Sequence, residues 1–541
     1  MDIQLRQLMQ KHVPPVNLDI VNGLAVKHMP QLEEYIDRII MGVSTYFPES
    51  FKYLGCARCS PLEEYRVLIK SQNQKNENQR KEFDVSRTDF YMMKYFFSFN
   101  GEELKPKYVR MPFVSSSGSV IISGTRWSIS PVLYDKVISI NAKDIFIRVL
   151  RDKLTFNRVA HNIVINDRRE TTQVVWGSIY HLRAELKKQY TKTTNAQSTI
   201  MHYLLCKFGF TQTFVKFCKA TPIVGNEDIN IVNYPPDKYV ICKSTQQRIK
   251  TPKKDPWTPT EIRVAFKIEE FTPHVKTLIG NFFYIVDHFP TMLPKEYLDS
   301  HRQWIILMGN ILFSGTRSVG VLFDDVSEHI QSLDQYLDTI SQNQLKEIGH
   351  NCEDIYSLLY LVLSNFDEWI VKSADKVCSM YDKELNILYF ISEEFIKGIH
   401  SMHYDLRKAS KKQLNINNVT KILARTIKTG VFFKIIKRNA AASILSYSGD
   451  NKFFKITCNL SSQSSANPLT GKKTKQQIDD PAKRLHISVA EVGGFANLPK
   501  NEPSGRSRIN PHLKTDARQT VLRDPDKVML LDKVQAMIER D

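Results

Sequence analysis

The stretch from Arg110 to Ser130, RMPFVSSSGSVIISGTRWSIS, sets a glycine on each side of a short β-branched run. Gly118 and Gly124 bracket Ser119 to Ser123, with Val120, Ile121 and Ile122 at the centre. β-Branched side chains lose rotamer freedom in a helix and pack well on a pleated surface. Glycines release the backbone into turn conformations, so the stretch reads as a strand between two turns. Taken alone, that reading fits a hairpin in any protein containing β structure, and the order of residues along the rest of the chain is needed to go further.

The chain has 541 residues, of which 42% are hydrophobic, enough for more than one core. Its densest apolar stretches, Trp304 to Met308 and Ile355 to Leu363, fall short of the roughly 18 residues of a membrane span and read as buried helices. The first residues, MDIQLRQLMQ, lack the basic and apolar regions of a secretory signal. Eight scattered cysteines are too few for a disulfide framework and fit reduced thiols. Cys56 and Cys59 form a C-x-x-C, open to reading as half a zinc site, a redox pair or two buried thiols; zinc needs four ligands, and His400 and His403 lie far away in sequence.

A formal charge of +18 favours an anionic partner. Between Ser401 and Ala440 there are ten Lys or Arg against one acid, Asp405. Within that stretch Asn418 or Thr420 can cap a helix running to Gly430, with Lys421, Arg425 and Lys428 on one face and Ile422, Leu423 and Ile427 toward a core. The basic face reads either as solvated surface or as a set of phosphate contacts, which would hold a duplex without reading its sequence. A second cluster, Lys243, Arg248, Lys250, Lys253 and Lys254, lies beside prolines and reads as an exposed loop.

No internal repeat or long low-complexity tract interrupts the chain. The first 140 residues mix helix and strand. In AKDIFIRVLRDKLTF, Ile145, Ile147 and Val149 alternate with Phe146, Arg148 and Leu150, as in a strand facing two environments. Beyond it, EHIQSLDQYLDTISQNQLKEI reads as helix, and helices are expected to dominate from Asp144 to Lys372.

The order Pro112, Gly118, Val120, Ile121, Ile122, Gly124, Thr125, Arg126 resembles a segment of the β subunit of multisubunit RNA polymerases, approximately G-x-F-I-I-N-G-T-E-R. Nearer the C-terminus, Asn467, Pro468, Leu469 and Thr470, then Lys483 to Ser488, Gly493, Gly494 and Phe495, then Gly505 and Arg506 ahead of Asn510 and Pro511, resemble the fork region of the same subunit. This chain departs from that pattern in a longer spacing after Leu469, in Leu485 where the family has a second arginine, and in INPHLKTD where it has Cys-Pro-Glu-Thr-Pro-Glu-Gly. Met380 to Lys397 weakly resembles the point where β returns to its protrusion.

The resemblance implies a multidomain α+β fold, with residues 1–140 as the first part of the protrusion, 141–370 as the lobe, 371–430 as the return to the protrusion and 431–541 as the fork. It implies that Lys483, Arg484, Arg506 and Arg508 approach template phosphates, RNA or a nucleoside triphosphate, since guanidinium forks match phosphate oxygens; a solvated basic loop is the plain alternative. In the family a β′ chain carries the Asp-Phe-Asp-Gly-Asp loop for catalytic Mg²⁺, and that string does not occur here. The adjacent pairs Asp324–Asp325 and Asp479–Asp480 point apart on a helix or strand, and GKKT at Gly471 to Thr474 departs from a phosphate-binding loop. No catalytic or metal-binding residue is therefore assigned to this chain.

The family's β subunit continues past the fork, whereas this sequence stops at Asp541. That resembles the β subunits of giant tailed bacteriophages, which are split between polypeptides. The expectation is the N-terminal half of a split β subunit in a DNA-directed RNA polymerase active only when assembled. Its expected partners are the C-terminal half of β, split β′ chains holding Mg²⁺, DNA template, RNA product, nucleoside triphosphates and a phage specificity factor, with no membrane. The expected setting is the cytoplasm of an infected bacterial host. The enzyme made during infection is favoured over a virion-packaged subunit or a non-enzymatic nucleic-acid-binding or virion structural protein; a self-contained nuclease would need its own metal site.

Overall fold

A computed structural model of the chain describes residues 15–73, 87–116, 118–134, 137–140, 144–149, 153–179, 198–245, 262–288, 295–312, 318–373, 380–381, 383–410, 414–438, 442–444, 457–460, 488–493 and 505–522. Helix and sheet are mixed throughout, as expected of an α+β protein, and two large apolar cores organise them.

The first core begins with the helix Leu32–Ser44, whose Leu32, Ile36, Ile40 and Val43 recur at helical spacing and are buried. A sheet follows in which the strand Phe90–Phe99 pairs antiparallel with Phe51–Arg58 on one side and Lys107–Pro112 on the other. The glycine-bracketed segment forms a hairpin, Ser119–Ile122 against Thr125–Ile129, with Ile122 opposite Thr125. Ser123 and Gly124 are thus a two-residue loop at φ +48° and +74°. Positive φ at both positions is the type I′ combination, whose twist matches that of the flanking strands. Ser123 accordingly belongs to the turn and not to the strand end, and its N–H donates to Thr88 Oγ1 at 3.0 Å. Val120, Ile122 and Ile129 point into the core.

The second core starts at the strand Ile145–Arg148, where Ile145 and Ile147 are buried and Phe146 and Arg148 half-buried, the alternation expected. This strand joins a sheet which, among the described residues, runs in the order Ser198–Thr199, Arg168–Ser178, Lys153–Ile165, Tyr239–Ser244, Arg263–Lys267, Ile223–Gly225, with Ile145–Arg148 and Ile138–Ile140 branching from Lys153–Ile165. Helices Pro273–His288, His301–Leu312, Val319–Leu333, Thr339–Glu347 and Ile355–Ser373 complete it. The expectation that helices dominate from Asp144 to Lys372 holds over the described residues taken together, but strands prevail before Pro273, where the helices are Ile200–Phe208 and Phe210–Cys218. The long hairpin of Lys153–Ile165 and Arg168–Ser178 carries many polar residues and supplies the longest strands of this sheet among the described residues. EHIQSLDQYLDTISQNQLKEI is two helices: the first stops at Leu333, and Asp338 caps the second by accepting from Ser341 N at 2.8 Å. Trp304 to Met308 and Ile355 to Leu363 lie in helices as expected. Among the described residues no helix is long and apolar enough to cross a membrane.

After Met380 the chain comes back to the first core. The strand Glu384–Asn386 pairs antiparallel with Val132–Tyr134, and the helix Leu388–Ser410 sets Ile396 beside Ile39. The strand Thr457–Leu460 runs parallel to Val132–Tyr134 and antiparallel to Gly505–Arg508. One core thus joins Ile20 through Leu133 to Met380 through Val521. The seam between the cores mixes polar and apolar contacts: Gln335 Nε2 and the Tyr46 carbonyl lie 3.0 Å and 2.9 Å from His403 Nε2, Arg518 pairs with Glu347, and Ile340 packs against Ile39 and Ile396.

Candidate nucleic-acid interface

The basic segment is two helices. Asn415, not Asn418 or Thr420, caps the first, Ile416–Thr426, by accepting from Asn418 N at 2.8 Å. Its end comes before Gly430, because Ile427 takes an extended conformation while the Thr426 hydroxyl donates back to the Ile422 carbonyl at 2.9 Å. The second helix, Val431–Arg438, follows at once. Leu423 and Ile427 are buried and Ile422 half-buried, as the spacing requires, while Lys421, Arg425 and Lys428 are exposed. Lys421 and Arg425 are one turn apart on the first helix and Lys428 lies just past it. Arg425 is already engaged by Asp405, the single acid of the stretch. An ion pair so exposed contributes at most about 1 kcal/mol and leaves the guanidinium open to exchange for a phosphate.

The glycine-bracketed motif supports this segment directly. Arg110 N donates to the Thr429 carbonyl at 2.8 Å, next to Lys428, and the Arg110 guanidinium lies 5.5 Å from the centre of the Phe90 ring. Burial lowers the Arg110 pKa from its ordinary value. Phe433 of the second helix packs on Phe90 at 5.9 Å, and Ala442–Ile444 pairs with Thr125–Ile129. The chain leading out of the basic helices therefore lies across the strands of the motif.

Arg506 and Arg508 stand two residues apart on the strand Gly505–Arg508, opposite Asn459 and Thr457. Backbone ties to distant segments hold the chain on the C-terminal side of this strand: Asn510 N donates to the Val492 carbonyl at 2.7 Å, Asn17 N to the Pro511 carbonyl at 2.8 Å, and Val521 N to the Lys383 carbonyl at 2.8 Å. Gly493 bridges Ile509. Both arginines thus sit in a sheet whose next strand but one, Val132–Tyr134, directly follows the motif. Leu423, Ile427, Ile509 and Leu513 share one core, so the two basic groups are anchored on a common body. Lys483 and Arg484 lie outside the described residues, as do Asn467 to Thr470, Gly494, GKKT and Asp479–Asp480.

Other residues singled out by sequence have local roles. Cys56 lies in the strand Phe51–Arg58 and Cys59 just beyond it, both as free thiols. Burial raises both pKa values, that of Cys56 to about 11, opposite to the shift that favours a thiolate ligand or nucleophile. No group of three His, Cys, Asp or Glu suited to a metal occurs among the described residues. His400 and His403 are buried on the helix Leu388–Ser410, where His403 serves the seam between the cores. Asp324 and Asp325 are neighbours on the helix Val319–Leu333. Lys243 belongs to the strand Tyr239–Ser244 and not to a loop, and pairs with Asp167 at 2.5 Å; Arg248, Lys250, Lys253 and Lys254 lie outside the described residues.

Sequence reasoning missed Arg148. Its guanidinium sits 5.2 Å from the ring centre of Tyr134, 5.4 Å from Tyr389 and 5.7 Å from Phe390, clamping the second core's first strand to the first core. Tyr134 in turn donates to Glu384 at 3.0 Å, and burial holds its pKa well above the ordinary value. The signal was an arginine in an otherwise apolar strand, but its aromatic partners lie far away in sequence.

The architecture defines a mixed α+β protein of several sheets in which Lys421, Arg425 and Lys428 ride on a core assembled from both ends of the chain. The chain belongs to the non-virion RNA polymerase subunit family, whose model matches residues 3–534. It is therefore a component of a polymerase that acts together with other subunits, and the family agrees with the expectation of a non-virion enzyme over a virion-packaged one. A separate similarity, 31% identity over 86 residues, links it to the translationally-controlled tumor protein homolog of Schistosoma mansoni. That match covers 16% of this chain, which spans about half the length, 51%, of that relative.

Proposed function

We propose that the chain is the N-terminal part of the β subunit of a DNA-dependent RNA polymerase, forming one side of the DNA cleft and the fork beside the active centre. The observation that carries this reading is the sheet that sets Gly505–Arg508 beside Thr457–Leu460 and thence beside Val132–Tyr134. The strand that follows the first segment resembling β and a strand of the second, far apart in sequence, are joined there through Thr457–Leu460. On this reading residues 1–140 and 371–430 form the protrusion, 141–370 the lobe and 431–541 the fork.

Lys483, Arg484, Arg506 and Arg508 then contact template, RNA or triphosphate, and Lys421, Arg425 and Lys428 hold duplex phosphates along the flank. Phosphate contacts of this kind position nucleic acid without selecting sequence. Chemistry belongs to the assembly: split β′ chains hold Mg²⁺, which stabilises the charge that develops during phosphoryl transfer. The C-terminal part of β and a phage specificity factor complete the enzyme in the cytoplasm of an infected bacterium.

The test is purification of tagged chain from infected cells, followed by crosslinking. The expected result is an assembly containing a chain with an Asp-Phe-Asp-Gly-Asp loop, with nucleic acid crosslinked within residues 483–508 and transcription lost when this chain is omitted from reconstitution. An assembly lacking such a chain, or one transcribing normally without this subunit, would sink the reading.

A further inference from the structure

The connection between the strands Ile223–Gly225 and Tyr239–Ser244, residues 226–238, is built to hold two apolar side chains out in solvent. Ile231 is 54% exposed and Val232 90% exposed, side by side at the tip. Apolar residues at the end of a slack loop could turn inward, but here the backbone is pinned. Asn230 Oδ1 accepts from Val232 N at 3.1 Å and from Asn233 N at 3.0 Å, while its amide donates to the Glu227 carbonyl at 3.1 Å. Asn233 Nδ2 donates to the Asp228 carbonyl at 2.9 Å.

The base is fixed as firmly. Asp228 Oδ1 accepts from Asn226 N at 2.6 Å, and its carboxylate occupies the space where a side chain at Gly225 would fall. Ile229 is buried in a small cluster with Ile241 and Ala265, and the Arg263 guanidinium donates to its carbonyl at 3.0 Å. Tyr234 packs edge-on against Tyr239 with ring centres 5.1 Å apart. The loop is thus organised around the outward pose of Ile231 and Val232, and a pre-organised loop loses little entropy when it binds.

Charge narrows the partner. Residues 226–238 contain three acids, Glu227, Asp228 and Asp237, against Lys238, on a chain of net charge +18. Arg263 is turned inward to Ile229, and Lys295 lies on the Asp228 side at the base. Among the described residues this surface offers phosphates no cationic row, which is unsuited to nucleic acid, whereas an apolar pair with acids around it complements an apolar pocket with a basic rim. The chain belongs to a polymerase subunit family, so companion subunits are the protein surfaces it meets in the assembly. We propose that Ile231 and Val232 anchor this chain to another protein subunit of the polymerase, filling an apolar pocket with a basic rim.

The experiment uses the assembled polymerase. With a photo-reactive phenylalanine at Val232, irradiation is expected to join this chain to another polypeptide of the purified enzyme. Val232→Asp is expected to leave the thermal unfolding of the free chain unchanged and to weaken its association with that polypeptide at least tenfold. A crosslink to DNA or RNA, a crosslink to no protein of the enzyme, or association of Val232→Asp at wild-type strength each overturns the proposal. The result is independent of the fork assignment, since a protein crosslink at Val232 can be found whether or not residues 483–508 touch nucleic acid.

Discussion

Asn281 occupies a site where only one chemistry fits. Buried on the helix Pro273–His288, its carbonyl oxygen accepts from Val175 N at 3.0 Å and its amide donates to the carbonyls of Gln173 and Thr277, each at 2.8 Å. Next to it, a side chain at Gly280 would fall on Thr172, so the helix lies close enough to the strand for these bonds to form. Asn281→Leu removes the partner of a buried N–H and is expected to cost about 3 kcal/mol, read as a lower urea midpoint. His202 makes a second prediction. Its Nε2 donates to the Trp304 carbonyl at 2.9 Å, its Nδ1 faces the Ser198 hydroxyl at 3.3 Å, and burial lowers its pKa from 6.5 to about 4. The unfolded chain takes up this proton first as pH falls. The contribution is therefore complete above pH 6.5 and is lost between there and about pH 4, amounting to at most about 3 kcal/mol. His28, also lowered to about 4 chiefly by burial, acts in the same direction. Unfolding midpoints at pH 7.5 and 5 should differ less in His202→Gln than in the wild type.

At the scale of elements, the basic helix Ile416–Thr426 separates paired charge from free charge. Asp405→Asn releases Arg425 and is expected to tighten the enzyme's hold on duplex DNA. Lys421→Glu and Lys428→Glu should each weaken it and lower the slope of log affinity against log salt by about 1, uniformly across sequences. Titration of labelled duplex at several salt concentrations reads all three; an unchanged slope would place these lysines away from the DNA. The positions of Leu423 and Ile427 were legible from helical spacing, and the motif hairpin from its two glycines. The break at Ile427 was not; the chain just past it is held by a backbone bond from Arg110 to Thr429, a contact between residues far apart in the chain. The large sheet of residues 138–267 was underestimated for a related reason. Its strands pair across long separations, and the helices after Pro273 carry the more regular pattern. Of the candidate site, the exposure of Lys421 and Lys428 could be read from sequence, but the Asp405 pairing and the aromatic clamp on Arg148 exist only once the chain is folded.

At the scale of the molecule, the two cores differ in how the chain builds them. The second, from Val137 to Ile370, closes within one continuous stretch, whereas the first joins Ile20 through Leu133 to Met380 through Val521. Exposed polar and charged pairs of the kind found at the seam, such as Arg518 with Glu347, add little to stability. Expressed alone, residues 137–373 are therefore expected to fold cooperatively, with one sigmoidal thermal transition by circular dichroism; a gradual loss of signal would show that the seam is needed. The parallel pairing of Thr457–Leu460 with Val132–Tyr134 also sets an order of events during synthesis. At ordinary ribosomal speeds the earlier strand leaves the exit tunnel on the order of half a minute before its neighbours exist. Through that interval the second core is being made and the apolar faces of the first stand open, closing only once the chain returns at Met380.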